Sequence, residues 1–306
     1  FLPWAMADGL PLQWHPNCFQ MNNTGKAFFS IVALACAACS PKSDNVQKES
    51  ITVSIEPERQ LLEYLAGDRY EIVTMLSRGS DPETFDPSMS LRRKADGSKA
   101  YFAIGAFPFE DNIHESLPGD VAYFDVSEGV EHLYGTHGHS HGKHSHTHEE
   151  ADPHIWTSVA NMKIIAANMT LALCGLDTSN CEVYKGRLEA LENRLDSIDS
   201  YIRSVVPKGS SFAVWHPSLS YFARDYGLNQ IAVGHESKEM PAARLKAVID
   251  SARSRNVKIL FFQKEYDIRQ TQSLNGAIGS RLVEIDPLAY DWDTELTRIA
   301  DELARP

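Results

Sequence analysis

The stretch YKGRLEALENRLDSIDSYIRSVV, residues 184–206, decides how the rest of the chain is read. Its apolar residues Tyr184, Leu188, Leu191, Leu195, Ile198, Ile202 and Val205 step by four and three throughout, the spacing of one face of an α-helix. At about 1.5 Å per residue the stripe runs for about 30 Å. Asp177 to Asn180 offer N-caps, and Pro207 stops the helix. Three heptads would also serve a coiled coil, but strand signals flank this segment on both sides. It therefore reads as a rigid strut between two α/β lobes.

Outward from the strut, strands and helices alternate. On the N-terminal side ITVSI (51–55), YEIVTML (70–76), YFAIG (101–105) and VAYFDV (121–126) are β-rich, and Pro57 opens a helix, PERQLLEYLAG, that Gly67 closes. On the C-terminal side SFAVW (211–215), VKILFF (257–262) and SRLVEID (280–286) are strands, with SLSYFARDYG (218–227) and AARLKAVIDSARSRN (242–256) as helices. Alternation of this kind implies mostly parallel sheets flanked by helices. The expected organisation is an N-terminal lobe at 51–176, a linking helix at 177–206 and a C-terminal lobe at 207–306. No glycine loop for phosphate and no Gly-x-Ser-x-Gly elbow appears, so neither a nucleotide site nor a serine hydrolase is supported.

Seven of the 12 histidines fall in one interleaved run: His132, His137, His139, His141, His144, His146 and His148. Glycine, serine, threonine and lysine separate them, so the run builds no apolar face. Neutral imidazole is the commonest metal ligand, and a segment this rich in it can wrap a transition-metal ion without a preformed cage. The net charge of −12 argues against nucleic acid or an anionic membrane surface as partner and suits a collector of cations.

The N-terminal residues carry export signals. Residues 1–20 match nothing later in the chain and read as upstream sequence before Met21. Lys26 and the apolar run Ala27–Ala38 read as a signal peptide too short to span a membrane. Cys39, followed by a polar tether to Ser50, stands where a lipoprotein is acylated, and Cys36 is a second candidate; simple cleavage is the alternative. The chain is expected in the periplasm or cell envelope, touching membrane only through its lipid anchor. Cys174 and Cys181 lie close together in an exported chain, where a disulfide worth roughly 2–3 kcal/mol would persist.

In open parallel sheets ligands bind beyond the carboxyl ends of the strands. His216 follows SFAVW and Asp286 ends RLVEID; Glu83 lies in the loop after YEIVTML, and His154 starts the helix HIWTSVANMKIIAANM. Singly, His216 could be a core histidine and Asp286 a helix cap. Together they form an N/O ligand set fit for a divalent ion. His114 and His235 read as ordinary loop residues.

The segments SDPETFDPS, GAFPFED, DPHIWTSVANMKIIAANM, WHPSLSYFARDYGL, KEMPAARLKAVIDSARSRNVKILFFQKE and VEIDPL together resemble the zinc- and manganese-binding solute receptors of bacterial ABC importers. The likeness spans most of residues 50–300. It implies two α/β lobes joined by one long helix, with the metal held between them by Glu83, His154, His216 and Asp286. It also implies a non-enzymatic monomer that passes zinc to an ABC permease, with the histidine loop as accessory collector. Glu83 departs from the family's usual first histidine. Two carboxylates make a harder set, better suited to manganese. The spare imidazoles favour zinc. A manganese or iron receptor, a secreted zinc hydrolase and a zinc-buffering or adhesin lipoprotein are the rival readings.

Overall fold

The computed structural model describes residues 48–76, 79, 80, 82, 84–134, 151–234, 242–264, 266 and 268–305. Glu83, the loop histidines from His137 to His148, His235, Cys36 and Cys39 lie outside them. From Lys48 onward the chain packs as one compact unit.

The first sheet comprises β1 (Ser50–Val53), β2 (Glu71–Thr74), β3 (Ala100–Ala103) and β4 (Ala122–Asp125) in the order β2-β1-β3-β4. The second comprises β5 (Ser211–Val214), β6 (Asn229–Ala232), β7 (Ile259–Gln263) and β8 (Arg281–Ile285) in the order β6-β5-β7-β8. Every pairing in both is parallel. The two sheets share one topology, each reversing direction between its first and third strand. That reversal point is where an open α/β sheet offers a crevice.

Nine α-helices are described: α1 (Glu56–Ala66), α2 (Met89–Asp96), α3 (Pro108–Ser116), α4 (Val159–Leu176), α5 (Cys181–Val205), α6 (Ser220–Tyr226), α7 (Ala242–Ser254), α8 (Ile268–Ile278) and α9 (Trp292–Ala304). Helix α5 connects the first sheet to the second and packs against α1, α4 and α9. Along its stripe Tyr184, Leu191, Leu195 and Ile202 are buried, while Leu188, Ile198 and Val205 are partly so. Each fully buried side chain stabilises by about 1.5–3 kcal/mol. One continuous apolar core runs from Ile51 through Phe212, Val214 and Phe261 to Leu303, so the two lobes share their interior. A smaller cluster around Leu260, Val233 and Leu274 covers the other face of the second sheet.

Several elements differ from the sequence expectation. Strand β1 starts at Ser50, inside the expected tether. His154 does not begin a helix: Ile155–Thr157 form a 3-10 turn, and α4 starts at Val159 with the Ser158 hydroxyl accepting the Asn161 N–H at 3.1 Å. Helices α2, α3, α8 and α9 and strand β6 were not expected. In α2 only Ala95 is buried, which leaves no apolar stripe to read.

In the first lobe, buried acids fill the crevice. Glu58 and Glu110 sit in the first turns of α1 and α3 and serve as caps. Glu58 accepts backbone N–H groups of Ser54 (2.9 Å) and Ile55 (3.1 Å). Glu110 accepts those of Ile104 (2.8 Å), Ala106 (2.8 Å) and Phe107 (3.0 Å), together with the Ser54 hydroxyl. Burial pushes both carboxyls above their ordinary range; for Glu58 the field of Glu110 adds to it, and two backbone bonds oppose it.

Candidate metal centre

In the second lobe the crevice is open and faces the loop that carries His154. A cavity of about 380 Å³, including its mouth, is lined by Ser80, Pro82, His154 and Trp156 on one side. His216, Ser218, Gln263, Tyr266 and Asp286 line the other. Residues after β5, β7 and β8 thus meet residues from the loops before α2 and α4.

Asp152 organises the N-terminal side. Its Oδ1 accepts the backbone N–H of His154 at 2.9 Å and lies 2.8 Å from His154 Nδ1. Burial alone would raise this carboxyl, but the hydrogen bonds from His154, and its charge whenever the ring is protonated, outweigh it and hold the acid down at about 2. An ionised Asp152 can only accept, so Nδ1 carries a proton, and in the neutral ring, the form that binds metal, Nε2 is left as the lone-pair nitrogen facing the cavity. His154 is itself buried, at 4 % exposure. The Asp152 backbone is also fixed: its N–H donates to Leu133 O (2.7 Å) and its carbonyl accepts the Tyr221 hydroxyl (2.8 Å).

His216, two residues beyond β5, brings its Nε2 to 3.0 Å from His154 Nε2, with ring centroids 4.9 Å apart at 68°. With His154 neutral, its Nε2 is the acceptor of this contact and His216 Nε2–H the donor. Two imidazoles on one tetrahedral ion, each about 2.0–2.1 Å from it, hold their nitrogens about 3.3–3.4 Å apart. The rings therefore need to open by only a few tenths of an ångström, and His216 to shed its Nε2 proton, for one ion to sit between them. Tyr266 stacks on His216 at 5.4 Å and 19°.

Asp286 follows β8 directly and lines the same cavity, but its carboxylate lies 3.8 Å from Lys264 Nζ. Among the described residues no three His, Cys, Asp or Glu side chains converge on one point. The structure thus pairs His154 with His216 and places Asp286 in the same cavity without joining it to them. Ser80 and Pro82, close in sequence to Glu83, also line it. His132 is half-buried with its Nδ1 unpartnered, and it is not among the residues lining the cavity. His114 lies on α3 rather than in a loop and stacks on Tyr123 at 3.8 Å. Cys174 and Cys181 form a disulfide, joining the end of α4 to the start of α5 with Cα atoms 4.5 Å apart.

Asp152, Trp156, Gln263 and Tyr266 were not singled out from the sequence. Asp152 had a readable signal: a carboxylate two residues before a ligand-type histidine, able to orient it.

The family model for the zinc-uptake complex component A periplasmic protein, ZnuA, matches residues 51–298. A crystal structure of ZnuA superposes with a TM-score of 0.75 at 29 % identity, covering 84 % of this chain and 98 % of that one. A zinc-bound ZnuA deletion mutant superposes with a TM-score of 0.74 at 30 % identity, covering 84 % and 97 %. The zinc-binding lipoprotein AdcA of Streptococcus pneumoniae serotype 4 is 23 % identical over 283 residues, covering 85 % of this chain and 54 % of AdcA. The chain spans about half the length of the AdcA proteins it matches. Matched along nearly all of its two-sheet body, this chain belongs to the ZnuA family of zinc-uptake components.

Proposed function

We propose that this protein captures zinc between its two lobes and delivers it to an ABC permease as a solute-binding component of the cell envelope, held at the membrane through Cys39. The observation that carries this reading is the Nε2 pair of His154 and His216, one from each side of the cavity, 3.0 Å apart. Asp152 keeps the His154 lone pair aimed at the ion, and His216 loses its Nε2 proton on binding. Asp286 and Glu83 complete the set as carboxylates. The histidine run from His132 to His148 gathers zinc and passes it inward. The shared apolar core makes wide hinge closure costly, so release proceeds by small shifts that withdraw one ligand.

The two carboxylates favour a manganese site as the second reading, since oxygen ligands suit that ion. Metal analysis and competitive titration on the intact chain and on a variant lacking residues 132–148 decide between them. The expected result is one equivalent of zinc, bound more tightly than manganese, retained without the loop. Loss of all zinc with the loop would place the principal site in the loop, and preference for manganese would overturn the zinc reading.

A further inference from the structure

We propose that Trp156 and Glu295 are positioning residues that bracket Asp286 and fix where the C-terminal lobe's carboxylate meets the histidine pair. The proposal rests on Asp286 being a metal ligand, as argued above.

The Trp156 indole is buried at 1 % exposure, on the 3-10 turn that follows His154. Its ring lies 5.2 Å from the His154 ring and 5.6 Å from that of Phe107. Phe107 is pinned in turn by its backbone N–H to Glu110 Oε2 (3.0 Å). From this fixed platform the indole N–H reaches across the lobes and donates to Pro287 O at 2.9 Å. Pro287 is the residue immediately after Asp286. On the other flank, the Asp286 backbone N–H donates to Glu295 Oε1 at 2.8 Å. Arg298 holds that carboxylate from both sides (2.8 and 2.6 Å) and also donates to Glu284 O (2.8 Å).

Asp286 is therefore held by one bond to its own N–H and another to the carbonyl of the next residue. One comes from the C-terminal helix, the other from the turn that presents His154. Beyond the bracket, Tyr290 donates to Glu63 Oε2 (2.6 Å), and Asp293 in the first turn of α9 pairs with Arg194 and Gln60, so the loop is tied to α1 and the start of α9 to α1 and α5. A tryptophan N–H can only donate, and removing it from a buried carbonyl carries a desolvation cost. The same residue thus touches one ligand histidine with its ring and sets the backbone of the carboxylate ligand with its nitrogen.

A double-mutant cycle tests the idea, because coupling appears only where two residues act through one another. Zinc affinity by chelator competition and the visible absorption of bound cobalt(II) are measured for wild type, Trp156→Phe, Asp286→Ala and the double variant. Trp156→Phe keeps an aromatic ring and removes the N–H. It should weaken zinc about tenfold and alter the cobalt spectrum in wild type, and add less than about twofold once Asp286 is gone. Glu295→Ala is carried through the same cycle with the same expectation, which keeps the test intact if Trp156→Phe does not fold. Equal losses in both backgrounds would show that these residues merely support the fold and would overturn the proposal. An Asp286→Ala variant with unchanged affinity would instead remove Asp286 from the site, which is a failure of the site reading.

Discussion

Replacing Asp152 by alanine tests the histidine geometry directly. His154 is almost wholly buried, and its Nδ1–H has Asp152 Oδ1 as acceptor at 2.8 Å. Without the carboxylate two outcomes compete. Either the Nδ1–H stays buried without a partner, at a cost of about 1–3 kcal/mol. Or the proton moves to Nε2, where it must be expelled before an ion can bind. Both penalties fall on the metal-bound state, in which Nε2 has to be the lone-pair nitrogen. At 1.4 kcal/mol per decade the zinc dissociation constant should rise about 10- to 100-fold, the range usual for a lost outer-shell carboxylate. The loop should stay placed, because the Asp152 backbone bonds to Leu133 and Tyr221 do not involve the side chain. Asp152→Asn keeps an oxygen acceptor and loses the charge, so it should fall between alanine and wild type. The assay is competition against a chromophoric zinc chelator at pH 7.5, with thermal unfolding of the metal-free variants as the folding control. A folded Asp152→Ala variant within twofold of wild type would refute the argument that Asp152 sets the His154 tautomer.

Three further outcomes are expected. Glu58 has its pKa raised by burial and by Glu110, so the stability it contributes is full below the ordinary carboxyl pKa of 4.5 and is lost as pH rises toward the folded value; Glu58→Gln should gain stability relative to wild type between pH 5 and 8 in urea unfolding, and parallel curves would contradict it. Reducing Cys174–Cys181 opens a short loop and should cost roughly 2–3 kcal/mol of unfolding free energy, read as a lowered denaturant midpoint, whereas an unchanged midpoint would show that α4 and α5 hold their junction without it. Leu195→Ala, at a 1 % exposed site on α5, should cost about 2–5 kcal/mol and leave one cooperative transition by circular dichroism and tryptophan fluorescence; two separated transitions would contradict a core common to both lobes.

Much of the architecture was legible in the chain. The stripe from Tyr184 to Val205 announced α5 because a helix buried on one side must repeat its apolar residues every three to four positions. Strands β5 and β7 were legible because buried parallel strands are continuous apolar runs, as in VKILFF. Helices α2 and α8 were not, because few of their residues are buried. Glu58 and Glu110 illustrate the same limit: as residues in a sequence they look like surface acids, and only the fold turns them into buried caps.

The candidate site divides in the same way. By itself the sequence determined two parallel α/β lobes, a long helix between them, and ligand-type residues His216 and Asp286 at the carboxyl ends of strands. Chain order supplies that much, since a strand's end fixes which residue follows it. Tertiary structure alone decided that His154 and His216 face each other through Nε2. It also decided that Asp286 is steadied from both flanks by Trp156 and Glu295. The His154–His216 and Trp156–Pro287 contacts join residues 62 and 131 positions apart. No local periodicity encodes such a meeting, because it is set by how the shared core seats one lobe against the other.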